Sequence, residues 1–172
     1  MRHIMVHKIT TEGHELLMGH RPVKQMPYFD RVEKNMRGIG LGTFLGSDPR
    51  RLYEILSADQ DMVNSLDLTH ESIARRLEEI GQPAREAMGD KVVVEDRYEV
   101  EATEVRGMIP CPWAHPRGLF KKSHMELKDR KSGETLAWSD LCIHLIREHG
   151  FYQGAGSPYR LEPRKLKRVL FD

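Results

Sequence analysis

Ser139-Asp-Leu-Cys-Ile-His-Leu-Ile-Arg-Glu-His-Gly150 is the stretch on which the fold turns. Ser139 or Asp140 can accept from the first free N–H groups of a helix, and Gly150 tolerates the left-handed backbone that ends one. At about 100° per residue, Leu141, Cys142, Leu145, Ile146 and His149 share one arc of roughly 140°. That arc must be buried. The spacing predicts a helix over Leu141–His149 with a thiol and an imidazole on its inner face. His144 falls outside the arc, roughly 140° from His149, so the two meet at one point only if the helix distorts near its end.

Upstream of this helix the chain reads as strands. Val92-Val-Val94 is followed by Tyr98, Val100 and Ala102 alternating with Glu99, Glu101 and Thr103, the period of a half-buried strand with an acidic outer face. Gly107 and Pro110 end or bend it just before Cys111. Met125 and Leu127 mark a further short strand, Lys131-Ser-Gly-Glu134 a turn, and Thr135–Trp138 a third strand. Past Gly150, Pro163 starts a last short helix with Leu166, Val169 and Leu170 as its buried stripe.

The first part of the chain is mixed. Residues 3–9 and 14–20 read as a β-hairpin around Thr11-Glu12-Gly13, with His3, His7, His14 and His20 on one face. Pro22 to Asp30 reads as irregular. Arg37-Gly-Ile-Gly-Leu-Gly-Thr43 lacks both the dinucleotide fingerprint and the Gly-Lys-Ser/Thr ending of a phosphate loop, and reads as a flexible or closely packed loop. Asp48-Pro49 opens a helix that runs to about Ser57. A second helix starts at Thr69 and stops at Gly81. Its Leu68–Leu77 string resembles the first helix of a helix-turn-helix, but Glu78 replaces the turn glycine and Pro83 interrupts the recognition segment, leaving an ordinary amphipathic helix. The expected fold is α+β: an N-terminal β-hairpin plus helices (1–90), then a small antiparallel sheet with the Cys/His-bearing helix in a strand-rich basic part (91–172).

Composition bounds the function. Hydrophobic residues make up 39% and charged ones 31%, a soluble globular balance, and no run of 18 apolar residues exists to span a membrane. The N-terminus meets polar residues too early for a signal-peptide core. Two cysteines in 172 residues make no disulfide framework. Reduced thiols and a cytoplasmic location are the expectation. The net charge of +1 hides an asymmetry: residues 1–104 carry 14 Lys/Arg against 19 Asp/Glu, and 105–172 carry 13 against 7. Seven of the twelve aromatics also lie in the second part. A basic aromatic surface there can face nucleic acid or another anion, or it can dock on the chain's own acidic part.

Cys111, His115, His124, Cys142, His144 and His149 fall within 39 positions, and thiolate and neutral imidazole are the two best protein ligands for zinc. Ile109-Pro-Cys-Pro-Trp113 resembles a knuckle that presents a cysteine, with His115 four residues on. Two β segments then lead to the helix with His144 and His149. The outline resembles the β-β-α layout of a Cys2His2 finger, yet the second knuckle ligand is His and 28 residues separate the pairs where about 12 is usual. This is a topological analogy only. The candidate metal ligands are Cys111, His115, His144 and His149, with His124 in reserve and zinc as the candidate ion. Two further chemistries are weaker. The inverted zinc-protease motif sets its histidines four apart, whereas these are five apart. A nucleophilic Cys111 would need His115 or His124 as its base.

The loop after the helix, Phe151–Arg160, is the other candidate site. Gly156 and Ser157 offer backbone N–H groups beside Tyr159, and Arg160 can grip a carboxylate or phosphate in two-pronged fashion. Alternatively it is a connector whose aromatics pack over the strands. The leading expectation is a cytoplasmic binding or regulatory protein, zinc-stabilised, with nucleic acid as first partner. The alternative is a small Cys/His or metal-dependent hydrolase acting on an anionic substrate.

Overall fold

The computed structural model describes residues 9–11, 14–16, 27–38 and 44–172. Strands β1 (Ile9–Thr11) and β2 (His14–Leu16) pair antiparallel, Ile9 opposite Leu16 and Thr11 opposite His14. This pairing agrees with the expected hairpin over the residues described; the rest of the expected strands 3–9 and 14–20, with His3, His7 and His20, and the turn residues Glu12 and Gly13 lie outside the described residues. Helix α1 (Pro27–Gly38) follows where an irregular segment is expected, with Phe29, Val32 and Met36 buried along one side. Pro27 is its first residue, a position where the missing N–H is no loss. Most of the glycine stretch, residues 39–43, is outside the described residues.

Helix α2 (Leu52–Ser65) starts three residues after Pro49 and runs a full two turns past Ser57. The expected cap, Asp48, instead binds the Arg50 side chain and the Ala155 N–H. Glu54 within the helix takes the Arg51 N–H at 2.8 Å, and a further acceptor comes from another element: Glu33 of α1 takes the Leu52 N–H at 2.6 Å. A cap delivered from a neighbouring helix leaves no local sequence mark. Helix α3 (His70–Glu86) begins one residue after the expected start at Thr69, which serves as its cap, the hydroxyl accepting from the Ser72 N–H. It passes through Gly81 and Pro83, where an end is expected. Gly81 is there for contact: a Cβ on it would lie 2.9 Å from the Met125 Sδ and 3.5 Å from Trp138. The bare backbone lets α3 press onto the sheet, and Ile80 and Ala84 on either side are fully buried.

The sheet has four antiparallel strands in chain order, β3 (Val92–Val94), β4 (Tyr98–Pro110), β5 (Leu119–Asp129) and β6 (Thr135–Trp138). β4 and β5 form a long ribbon with a bulge between Val105 and Met108, where Gly107 takes a φ of 113°. Helix α4 (Asp140–His149) is capped by Ser139, which accepts the Cys142 N–H, and closed by Gly150 at φ 60°. Helix α5 (Pro163–Leu170) ends the chain with Leu166, Val169 and Leu170 buried. The α+β class is as expected.

Two apolar clusters flank α4. Cys142, Ile143 and Ile146 join one with α3, the sheet and α5. Leu141 and Leu145 join the other with α1, α2, Cys111, Trp113 and Phe151. Both clusters take residues from either side of position 90, so packing crosses the 1–90/91–172 division. Among the described residues no helix is long and apolar enough to cross a membrane.

Candidate metal centre

The β4–β5 connection is an eight-residue loop, Cys111–Gly118, and it is tightly wound. The Cys111 N–H bonds the Gly118 carbonyl at 2.6 Å, the Ala114 N–H bonds the Cys111 carbonyl, and the Gly118 N–H bonds the His115 carbonyl. Gly118 has to be bare. A Cβ there would lie 2.9 Å from the His115 carbonyl and 3.1 Å from the Cys111 Cβ. Asn35 of α1 donates to the Pro112 carbonyl at 2.8 Å, which fixes the knuckle from outside.

This loop lies against the end of α4. Four ligand atoms, the Cys111 Sγ and one ring nitrogen each from His115, His144 and His149, lie within 4.8 Å of one another. The closest separations are 3.0 Å from His115 Nε2 to His144 Nε2, 3.3 Å from His115 Nε2 to His149 Nε2, and 3.4 Å from Cys111 Sγ to His149 Nε2. An ion bound tetrahedrally at about 2.0 Å to nitrogen and 2.3 Å to sulfur has ligand–ligand edges of about 3.3–3.6 Å. Those three separations are close to such edges. The cluster can hold a metal ion.

Proton accounting points the same way. His115 Nδ1 lies 2.8 Å from the Pro116 carbonyl, and a carbonyl only accepts, so Nδ1 carries the proton and Nε2 presents a lone pair. One lone pair cannot serve two N–H donors, yet both His144 and His149 crowd it. A cation among the rings removes the conflict. The Pro116 bond also orients His115, as the outer partner of a ligating histidine does. Among the described residues His149 Nδ1 has no hydrogen-bond partner; the ring is held by Trp113, stacked flat at 4.2 Å and 5°. Phe120 lies against His144 at 4.5 Å.

Burial sets the charge states. It pushes the Cys111 thiol up to about 12, opposed by the Trp113 backbone N–H. Burial, then the neighbouring rings, takes His149 down to about 3. Burial, then His115 and Arg147, takes His144 down to about 4. His144 and His149 are therefore neutral, the state that binds metal, whereas the Cys111 thiol must give up its proton when an ion binds. A thiolate–imidazolium nucleophile needs the opposite shifts.

The helix does not distort to bring His144 and His149 together. It is α-helical through His149, and the reach of the two side chains closes the gap, with His115 between them. Two residues go elsewhere. His124 Nδ1 lies 3.0 Å from the Tyr159 hydroxyl, and Cys142 sits in the core beside Ser139 and Gln153. Trp113, Phe120 and Asn35, which hold the cluster, carry no mark in the sequence beyond their nearness to Cys111 or to a strand.

The Phe151–Arg160 loop turns inward. Arg160 gives two bonds to the buried Asp59, at 2.5 and 2.6 Å, and a third to the Gln153 carbonyl. Ser157 donates to the Gln153 side chain, and Gly156 packs against Ser47. Tyr159 pairs with His124. Arg160 thus already holds an anion of its own chain. Arg147 likewise pairs with Glu71 and Glu78, so part of the basic C-terminal charge docks on the acidic N-terminal part.

Comparison with models of protein families, with curated proteins and with solved structures finds no match to this chain.

Proposed function

We propose that the protein is a metal-stabilised binding protein in which Cys111, His115, His144 and His149 hold one zinc ion. The convergence of four ligand atoms within 4.8 Å carries this reading. One thiolate and three neutral imidazoles suit zinc, and four protein ligands leave no open position for substrate, which fits a structural role better than a catalytic one. The ion would tie the β4–β5 loop to the end of α4. A cleft of about 660 Å³ lined by Cys111, His115, Asn35 and Arg117 provides an entry path. Both cysteines are free and buried, which supports the reducing cytoplasm as the compartment.

The test is elemental analysis of protein purified without a metal-affinity step, followed by cobalt substitution. About one equivalent of zinc, and a cobalt form whose sulfur-to-metal absorption vanishes in Cys111→Ser, are expected. Less than about a tenth of an equivalent, with no cobalt uptake, ends the reading.

Nucleic acid is the macromolecular partner we propose to try first. Arg106, Arg117 and Lys122 on or beside the β4–β5 ribbon are exposed, and none forms an ion pair among the described residues. Affinity for single- or double-stranded probes should fall steeply with salt. Salt-insensitive or absent binding at low ionic strength refutes it.

A further inference from the structure

A second cavity, of about 270 Å³, opens between the β4–β5 ribbon and the Gln153–Tyr159 loop. None of the four metal ligands lines it. Phe44, Ile109 and Leu141 provide an apolar interior, and the exposed Val105 extends it to the rim. Its polar lining includes the His124–Tyr159 pair, the Ser139 hydroxyl, and the buried Gln153, whose backbone takes a left-handed φ of 68°. A mostly apolar concavity with a small number of placed polar groups is the usual form of a small-molecule site, and this volume lies just below the range of about 300–1,000 Å³ for such sites.

Its walls are fixed in advance. Arg160 locks the loop to Asp59 of α2 and to the Gln153 carbonyl. The Gly154 N–H bonds the Phe44 carbonyl at 2.7 Å, and a Cβ on Gly154 would lie 2.2 Å from the Leu45 carbonyl. A preformed wall lowers the ordering cost of binding. Lys122, on the same face of β5 as His124, supplies the charge at the mouth, and among the described residues no carboxylate lines the cavity and Lys122 forms no ion pair. Lys121, the next residue, points to the other face, where it pairs with Glu104 at 3.2 Å.

We propose that this cavity binds a small amphipathic carboxylic acid, its apolar body against Phe44, Ile109 and Leu141 and its carboxylate at Lys122. Tyr159, one of the residues of the anion site expected beside Arg160, lines this cavity, and Lys122 of β5 takes the charged role there. The inference goes beyond the metal reading and does not rest on it.

Titration calorimetry of the full-length protein, as purified with its metal content, tests it, with sodium octanoate and 1-octanol as probes. Octanoate should bind saturably at one per chain. Lys122→Glu should weaken octanoate by about tenfold while leaving 1-octanol nearly unchanged, because only the former carries a charge for that residue to repel. Thr103→Trp, at an exposed position on the cavity wall, should abolish both. Circular dichroism checks that each variant is folded. No saturable octanoate binding to folded protein overturns the proposal, and so does binding that survives Thr103→Trp. Equal loss of both probes in Lys122→Glu, or loss of neither, overturns the placement of the carboxylate.

Discussion

Cys111 and His149, 38 residues apart, bring Sγ within 3.4 Å of Nε2 in a site where each is almost wholly buried. One comes from a loop between strands and the other from the last turn of a helix. Neither segment holds the other in place through the backbone ladder. Their union depends on side chains, and His115 and His144 complete it.

Replacing either partner should therefore uncouple loop from helix. Cys111→Ser and His149→Ala are each expected to abolish stoichiometric metal and to lower the melting temperature by roughly 10 °C or more, since structural zinc contributes directly to folding. His124→Ala, outside the cluster, should leave metal content unchanged. Metal analysis together with thermal unfolding of the three variants checks this.

The metal-free protein should lose stability as pH falls. His144 and His149 have folded-state values near 4 and 3, below the ordinary 6.5. The unfolded chain then binds more protons than the folded one across that interval, so stability is complete above about 6.5 and declines as pH drops toward 3. Bound metal competes for the same nitrogens and should be released in the same acid range. Denaturant unfolding of the metal-free protein between pH 8 and pH 4 reads the slope, and a flat profile between pH 6.5 and 5 contradicts it.

Arg160 and Asp59 form a buried pair between the loop and α2, with side chains 19% and 5% exposed. Arg160→Ala leaves a carboxylate in the interior whose protonation burial already favours. It should cost about 3–5 kcal/mol, and a double variant Asp59→Leu/Arg160→Met should recover most of that. Urea unfolding of the three proteins measures both terms.

Two glycines should respond differently to alanine. At Gly81 the obstruction is the Met125 Sδ, the flexible end of a side chain, and helix propensity gains about 1 kcal/mol, so Gly81→Ala should be nearly neutral. At Gly154 the obstruction is the Leu45 backbone carbonyl at 2.2 Å, which cannot turn aside. Gly154→Ala should destabilise by about 2 kcal/mol or more. Paired melting curves separate them.

Elements with local signals were legible. The Ser139 cap and Gly150 stop of α4, the alternation of β3 and β4, the bend at Gly107 and the Pro163 start of α5 all involve groups a few residues apart. The sequence is silent where a distant residue supplies the missing part. Glu33 caps α2 in place of Asp48, and contact with Met125 and Trp138 explains the bare Gly81 at which α3 was expected to stop. Helix α1 is hard to read locally because Pro22 and Pro27 obscure the apolar stripe of Phe29, Val32 and Met36.

The same divide runs through the function. Residue order alone determined which atoms were available: two thiols, a loop that could present one of them, and a helix with imidazoles five positions apart. It also placed a cationic guanidinium beside a glycine-containing loop. Only packing decided where those groups point. Alignment of α4 beside β5 brings His115 between His144 and His149, and the internal carboxylate of Asp59 captures Arg160. Local backbone preference acts over a few bonds, whereas ligand convergence is set by how distant surfaces fit once water is excluded.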